Sequence, residues 1–317
     1  MKKIICAFLA LCLFSGIFAG CGEGTAQSNK IKIVTTVFPA YDWVINILGD
    51  EAKNFEITLL TDNGVDLHSY QPTAGDIVDI SSCGLFVYVG GESDEWTEKI
   101  DRTSAENRQT VKLTEALGAA LKTEETVEGM QSENSGDIEE IDEHVWLSLK
   151  NAKSLCTAIF EALCRLSPEK KDYFSERLEN YLAELSALDS EYESTVAAAK
   201  RKILLFGDRF PFRYLTEDYS LTYYAAFPGC SAETGASFET VAFLVKKLEE
   251  LNLPCVLTVD GAGQKTAEAI VNGANGVKPS VLSLCSMQAV TAEDIKSGIS
   301  YLSAMSDNLE VLKKALN

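Results

Sequence analysis

The chain has 317 residues, and 46% of them are hydrophobic, which is enough for two domains with buried cores. Its 47 Asp and Glu outweigh 28 Lys and Arg, for a formal net charge of −19. That balance excludes a nucleic-acid partner, because phosphate binding needs clustered cations, and it suits the attraction of cations.

Residues 1–20 read as an export signal: Lys2 and Lys3, then an apolar run from Ile4 to Phe18. The run is short for a membrane span, and no later stretch reaches the ~20 apolar residues a span requires. Phe18-Ala19-Gly20-Cys21 resembles the bacterial lipobox, with Phe in place of the usual Leu. It implies cleavage before Cys21 and lipidation of that residue. Residues 21–30 have the composition of a flexible tether. The expected location is the extracytoplasmic face of a bacterial cell membrane, held there by lipid.

From residue 31 the chain alternates between two periodicities. IKIVTT (31–36), Phe55 to Leu60, Leu85 to Val89 and Val111 to Leu113 read as strands. Tyr41 to Leu48, Thr73 to Cys83, a stretch around Trp96 and Asn151 to Leu166 read as helices. This β-α-β-α order predicts a mainly parallel four-stranded sheet with flanking helices, an N-terminal lobe over 31–166. Within it, residues 123–143 hold nine Asp or Glu and no Lys or Arg, which reads as a disordered acidic loop.

Residues 167–201 are read as one long linking helix. Phe174, Leu178, Tyr181, Leu185, Leu188, Tyr192 and Val196 fall on one helical stripe, with Ser167 as N-cap and Pro168 at the first position. At about 1.5 Å per residue it would run roughly 50 Å along the back of both lobes. The same strand-helix alternation then resumes over 202–317, the C-terminal lobe. Its strands fall at Ile203–Phe206, Leu221–Phe227, Cys255–Val259 and Val281–Leu284. Its helices fall at Phe238–Leu251, Gln264–Asn272 and Gly298–Leu316.

Nine cysteines carry no CxxC spacing, so neither a zinc knuckle nor a thioredoxin-like pair is indicated. Cys6 and Cys12 leave with the signal. Cys156 and Cys164 fall in an apolar helical pattern and read as core. Cys83, Cys230, Cys255 and Cys285 complete the set.

The chain has two histidines. His68 lies in Gly64-Val-Asp-Leu-His68-Ser-Tyr-Gln-Pro-Thr-Ala-Gly-Asp76, between a strand and a helix. His144 lies in Asp142-Glu-His144-Val-Trp-Leu, where the acidic segment meets a helix. Both fall where α/β sheets present binding loops.

GVDLHSYQPTAGDI and DEHVWLSLKNAK resemble the two histidine motifs of the zinc/manganese-receptor solute-binding lipoproteins of ABC transporters. IVTTVFPAYDWV at the opening, the long central helix and YLSAMSDNLEVLKKAL at the end resemble that family too, so the likeness covers residues 31–317. The resemblance implies two α/β lobes on a backbone helix, with a metal held in the cleft by two ligands from each lobe. It assigns His68 and His144 to the first lobe, with Asp142 supporting. In the second lobe the sequence departs from the family pattern. The family carries His or Glu five residues before a Tyr; here Tyr214 matches but the position is Arg209, which cannot ligate a cation. Asp208 beside it is the candidate oxygen ligand, with Arg209 pairing to hold it. For the fourth ligand the candidates are Cys285 and Asp260, and Glu233 in the loop after the second strand of that lobe is a further supporting residue.

The function implied is capture of Zn²⁺, with Mn²⁺ or Fe²⁺ as alternatives, and delivery to a metal ABC permease by a monomer, without catalysis. Two imidazoles, a carboxylate and a thiolate suit tetrahedral Zn²⁺ and disfavour Mn²⁺. The departures leave open a family member with an altered ligand or an adhesive, partner-binding role. A zinc hydrolase is the remaining alternative, against which stands the absence of any His-Glu-x-x-His.

Overall fold

The computed structural model describes residues 30–101, 107–131, 140–231, 235–261, 263–276 and 278–317. The export signal, most of the tether including Cys21, the middle of the acidic segment and Glu233 lie outside the described residues. Residues 31–317 form one compact unit.

Two four-stranded sheets share one topology. β1 (Ile31–Thr35), β2 (Phe55–Leu59), β3 (Leu85–Tyr88) and β4 (Gln109–Lys112) pair in the order β2-β1-β3-β4, all parallel. β5 (Ile203–Phe210), β6 (Thr222–Pro228), β7 (Cys255–Val259) and β8 (Ser280–Leu284) repeat it as β6-β5-β7-β8. In each sheet the order reverses between the first and third strands. A crevice therefore opens at the carboxyl ends, where open parallel sheets bind ligands. All eight strands fall where the apolar runs predict them.

The helices follow local signals. In the first lobe they are α1 (Phe38–Leu48), α2 (Ala74–Ser82), α3 (Thr97–Asp101), α4 (Leu113–Leu117) and α5 (Leu149–Leu166). α2 starts where Thr73 and Asp76 form a capping box, each side chain bonding the other's backbone amide. α6 (Lys171–Ala198) links the lobes, and α7 (Arg213–Asp218), α8 (Phe238–Glu250), α9 (Lys265–Gly273), α10 (Ala292–Lys296) and α11 (Tyr301–Ala315) belong to the second. The alternation pattern does not anticipate α4, α7 or α10, whose five or six residues are too few to display a helical period. Among the described residues no helix is long and apolar enough to cross a membrane.

All seven stripe residues of α6 are buried. The helix is shorter than the pattern implies: Pro168–Lys170 form a separate 3-10 turn, and Ala199 turns extended. Twenty-eight residues give about 42 Å. The Ser167 side chain makes no capping bond. At the other end the Arg201 amide donates to Leu316, drawing the chain off the helix axis and into the second lobe.

α6 touches both lobes. Its Arg177 donates to Asn46 O on α1 (3.2 Å), and its Tyr192 donates to Met305 O on α11 (2.6 Å). Asp189 is the one acidic residue on its buried side, and it is satisfied by Lys153 (3.0 Å) and Tyr219 (3.0 Å). Asp42 joins all three elements: its Oδ2 accepts from Tyr181 of α6 (3.4 Å), Asn46 (3.0 Å) and the Tyr301 amide that opens α11 (3.1 Å). Burial pushes its carboxyl up to about 6 against those donors. Tyr301 also donates to Trp146 O (2.7 Å) and packs edge-on against Trp43. One continuous apolar core therefore runs from Ile33 to Leu316 across both lobes, which resists a wide hinge.

The acidic segment is ordered where it is described. Thr123 bridges Ile141, Glu124 N donates to Glu140 O (2.7 Å), and Gln131 N donates to Ala226 O on β6 (2.9 Å). Residues 123–131 thus strap the first lobe to the second. Composition predicts solvation there, yet the backbone pairs with residues 140–141 and, at Gln131, with β6.

Candidate metal centre

His68 follows β2 at its carboxyl end. Asp66 Oδ1 accepts from His68 N (3.0 Å), closing the 3-10 turn Leu67–Ser69. His144 is set by the same local device: Asp142 Oδ1 accepts from His144 N (2.9 Å). The same oxygen also lies 2.9 Å from His144 Nδ1, which keeps the Nδ1 proton and leaves Nε2 as a lone pair. The imidazole of His144 is fully buried, and that of His68 is 13% exposed.

The two Nε2 atoms lie 3.2 Å apart. Because His144 Nε2 is an acceptor, His68 Nε2 carries the proton of that contact, and Ser93 Oγ donates to His68 Nδ1 (2.7 Å). To offer both Nε2 lone pairs to one cation, His68 would have to carry its proton on Nδ1, toward Ser93. Two nitrogens about 2.0–2.1 Å from a tetrahedral zinc stand roughly 3.3 Å apart, so the pair is already near the required separation. Burial, with His144 alongside, pushes His68 down to about 3 and keeps it neutral.

Cys230 joins the pair. Its sulfur and the two histidines offer ligand atoms that all lie within 4.8 Å of one another. It follows β6, in the turn Pro228-Gly229-Cys230. Burial, with Glu124 and Glu143 nearby, holds its thiol well above the ordinary range without a cation. The sequence reading leaves Cys230 without a role. The available signal was its place: a turn at the carboxyl end of a parallel strand.

The described second-lobe residues predicted from sequence are engaged in other contacts. Asp208 sits in β5 beside an irregularity between Phe206 and Arg209. Its Oδ1 accepts from Arg209 N (2.8 Å) and its Oδ2 from Val259 N (3.1 Å). Both oxygens thus hold backbone together, and burial pushes the carboxyl up. The Arg209 guanidinium does not pair with Asp208; it reaches across to Asp66 Oδ2 (2.6 Å). Burial raises the Asp66 carboxyl, but Arg209 and the His68 amide outweigh it and hold the group below the usual range. Asp260 and Cys285 contact each other (Sγ to Oδ2, 3.4 Å), with Ser286 N on Asp260 Oδ1 (2.5 Å). Asn308 clamps Cys285 N (2.7 Å) and O (2.8 Å). Burial and Asp260 keep the Cys285 thiol high. None of the three stands with the imidazoles in the cluster found among the described residues.

Three further residues shape the site. Tyr214 donates to Asp142 O (3.0 Å) from the second lobe. Glu143 is buried; its Oε1 accepts from Ser93 N (2.9 Å), and its Oε2 lacks a hydrogen-bond partner, 3.9 Å from His68 Nδ1. Asp94 accepts from Val89 N (2.8 Å) and Gly90 N (3.1 Å), and burial pushes it up to about 7.

A family model described as ZnuA, zinc-uptake complex component A, periplasmic, matches residues 33–315. The zinc-binding lipoprotein AdcA of Streptococcus pneumoniae serotype 4 is 30% identical over 315 residues. The match takes in 99% of this chain but 61% of that relative, so the chain spans about three fifths of its length. The high-affinity zinc uptake system protein ZnuA of Bacillus subtilis is 25% identical over 314 residues, 99% of this chain and 96% of the relative. Among solved structures, the Zn(II)-bound ZnuA-like domain of S. pneumoniae AdcA superposes with a TM-score of 0.70 at 29% identity, covering 90% of this chain and 99% of that one.

Proposed function

Because the chain belongs to the ZnuA family of zinc-uptake components, we propose that it captures a divalent transition metal, Zn²⁺ above all, between its lobes and delivers it to a membrane ABC permease. The observation that carries this reading is the pair of Nε2 atoms 3.2 Å apart. Each ring's other nitrogen is held, by Asp142 in one case and Ser93 in the other. Two neutral imidazoles aimed at one point, with the remaining nitrogens engaged, are the arrangement that zinc recognises. Relatives named for zinc binding and zinc uptake support the choice of metal.

The activity is binding and release, not turnover. The backbone helix and the shared core make release a matter of small shifts at the cleft. Capture weakens with acid because protons compete for the imidazole lone pairs. Lipidation at Cys21 would keep the protein on the extracytoplasmic face beside its permease, and the intact mass of protein extracted from membranes tests that modification directly.

The deciding experiment is zinc titration against a competing chelator, with the parent chain beside His68→Ala and His144→Ala. One tight site that either substitution abolishes is the expected result. Unchanged zinc affinity in either variant would sink the assignment.

A further inference from the structure

The imidazole pair is contributed wholly by the first lobe; the second lobe's carboxylates at this end hold backbone, and its Arg209 is engaged by Asp66. We propose that Cys230 is the second lobe's ligand to the captured metal, binding as a thiolate and biasing the site toward Zn²⁺ and other thiophilic cations over Mn²⁺. The inference rests on the metal-capture reading and deepens it.

Three observations carry it. The first is proximity: the sulfur lies within 4.8 Å of a ligand nitrogen on each histidine. A tetrahedral ion with Zn–N about 2.05 Å and Zn–S about 2.3 Å sets nitrogen and sulfur roughly 3.5 Å apart. A movement of about 1 Å therefore completes the geometry.

The second is the way the turn is seated. Gly229 lies against the His144 ring: a Cβ there would stand 3.1 Å from Cε1, 3.2 Å from Nδ1 and 3.0 Å from Phe210 O. Glycine lets the backbone approach the imidazole and bring the next residue, Cys230, beside the ligand nitrogens.

The third is a shared support. Cys230 N donates to Glu124 Oε1 (2.7 Å). Glu124 in turn lies on the short ladder with residues 140–142, where Glu124 N bonds Glu140 O (2.7 Å) and Asp142 N bonds Lys122 O (3.0 Å). That ladder leads directly into His144. The thiol and the imidazole are positioned by one piece of backbone, although they come from different lobes. A cysteine of the apolar core has no need of such a support.

Thiolate ligation discriminates by softness. Sulfur favours Zn²⁺, whereas Mn²⁺ is served by carboxylate, carbonyl and water.

The test loads Co²⁺ as a spectroscopic stand-in for zinc into the chain from Gly22 onward, which retains the whole compact unit, under reducing conditions. The parent should show the thiolate-to-cobalt charge-transfer band in the near ultraviolet. Cys230→Ser should lose the band and bind zinc more weakly by more than the roughly 10–100-fold typical of losing a supporting residue. Cys285→Ser should keep both. Cys230→Asp supplies an oxygen ligand should the serine variant fail to fold, and it should bind zinc without the band. Cobalt bound without a charge-transfer band, or a band that survives Cys230→Ser, overturns the thiolate assignment and leaves metal capture standing. No binding of cobalt or zinc by the folded parent overturns both.

Discussion

The two lobes repeat one sheet topology, yet they prepare their halves of the cleft differently. In the first lobe each histidine is held by an aspartate two residues before it, Asp66 for His68 and Asp142 for His144. These are short-range devices, complete within three residues of sequence. In the second lobe the cysteine is held by a glutamate 106 residues away, and the carboxylate that looks most like a ligand, Asp208, is instead a clasp between β5 and β7. A motif can be read when its support is local. It cannot be read when the support arrives from another part of the chain.

The largest expected effect on this comparison comes from His144→Ala. It should lower zinc affinity by more than about 100-fold, since it removes a ligand where a supporting residue alone is worth about 10–100-fold; competition titration measures it.

Asp142→Ala comes next, at roughly 10–100-fold, because His144 loses both the amide brace and the partner that fixes its tautomer. Asp66 braces only the His68 amide, so Asp66→Ala should cost less; the reverse order would overturn the weight given to the Asp142–Nδ1 contact.

Asp208→Ala separates a clasp from a ligand. It strands the amides of Val259 and Arg209 and should cost roughly 1–3 kcal/mol in chemical denaturation. Zinc affinity measured on the folded variant should stay within a few-fold of the parent; a loss as large as that of His144→Ala would return Asp208 to the ligand set.

A pH dependence concerns the first-lobe pair alone. The folded value of His68 is depressed to about 3, below its unfolded value of about 6.5. Between those values the unfolded chain binds the extra proton, so this term of stability is lost as pH falls from about 6.5 toward 3. Asp42 and Asp94, whose folded values are raised, act in the opposite sense as pH rises through 4 to 7. The clean observable is therefore a difference. Melting temperatures of metal-free His68→Gln and parent should diverge in favour of the variant as pH drops from 7 to 4.

The eight strands, the buried stripe of α6 and the two histidine loops were all visible in the sequence. Each depends on spacing over a few residues: period 2 or a short apolar run, period 3 to 4, or an aspartate two places before a histidine. The Asp-x-His spacing even marks the device that sets each ring. For residues 123–131 composition points to solvation, whereas backbone bonds to residues 140–141 and, through Gln131, to Ala226 of β6 hold them, and any side chain permits those bonds. Arg209 is expected from sequence to pair with its neighbour Asp208, but its partner, Asp66, is 143 residues distant.

What the sequence determined by itself, then, was the architecture and the two histidine loops of the first lobe. What only the tertiary structure decided was which second-lobe group meets the imidazoles. Asp208, Asp260, Cys285 and Cys230 all fall in or just after strands of one sheet, and chemistry permits each as a ligand. The choice turned on a glycine that lets the β6 turn lie against His144, and on backbone amides that had already claimed Asp208. Such contacts form only when two lobes are packed, because they join residues that no local periodicity relates.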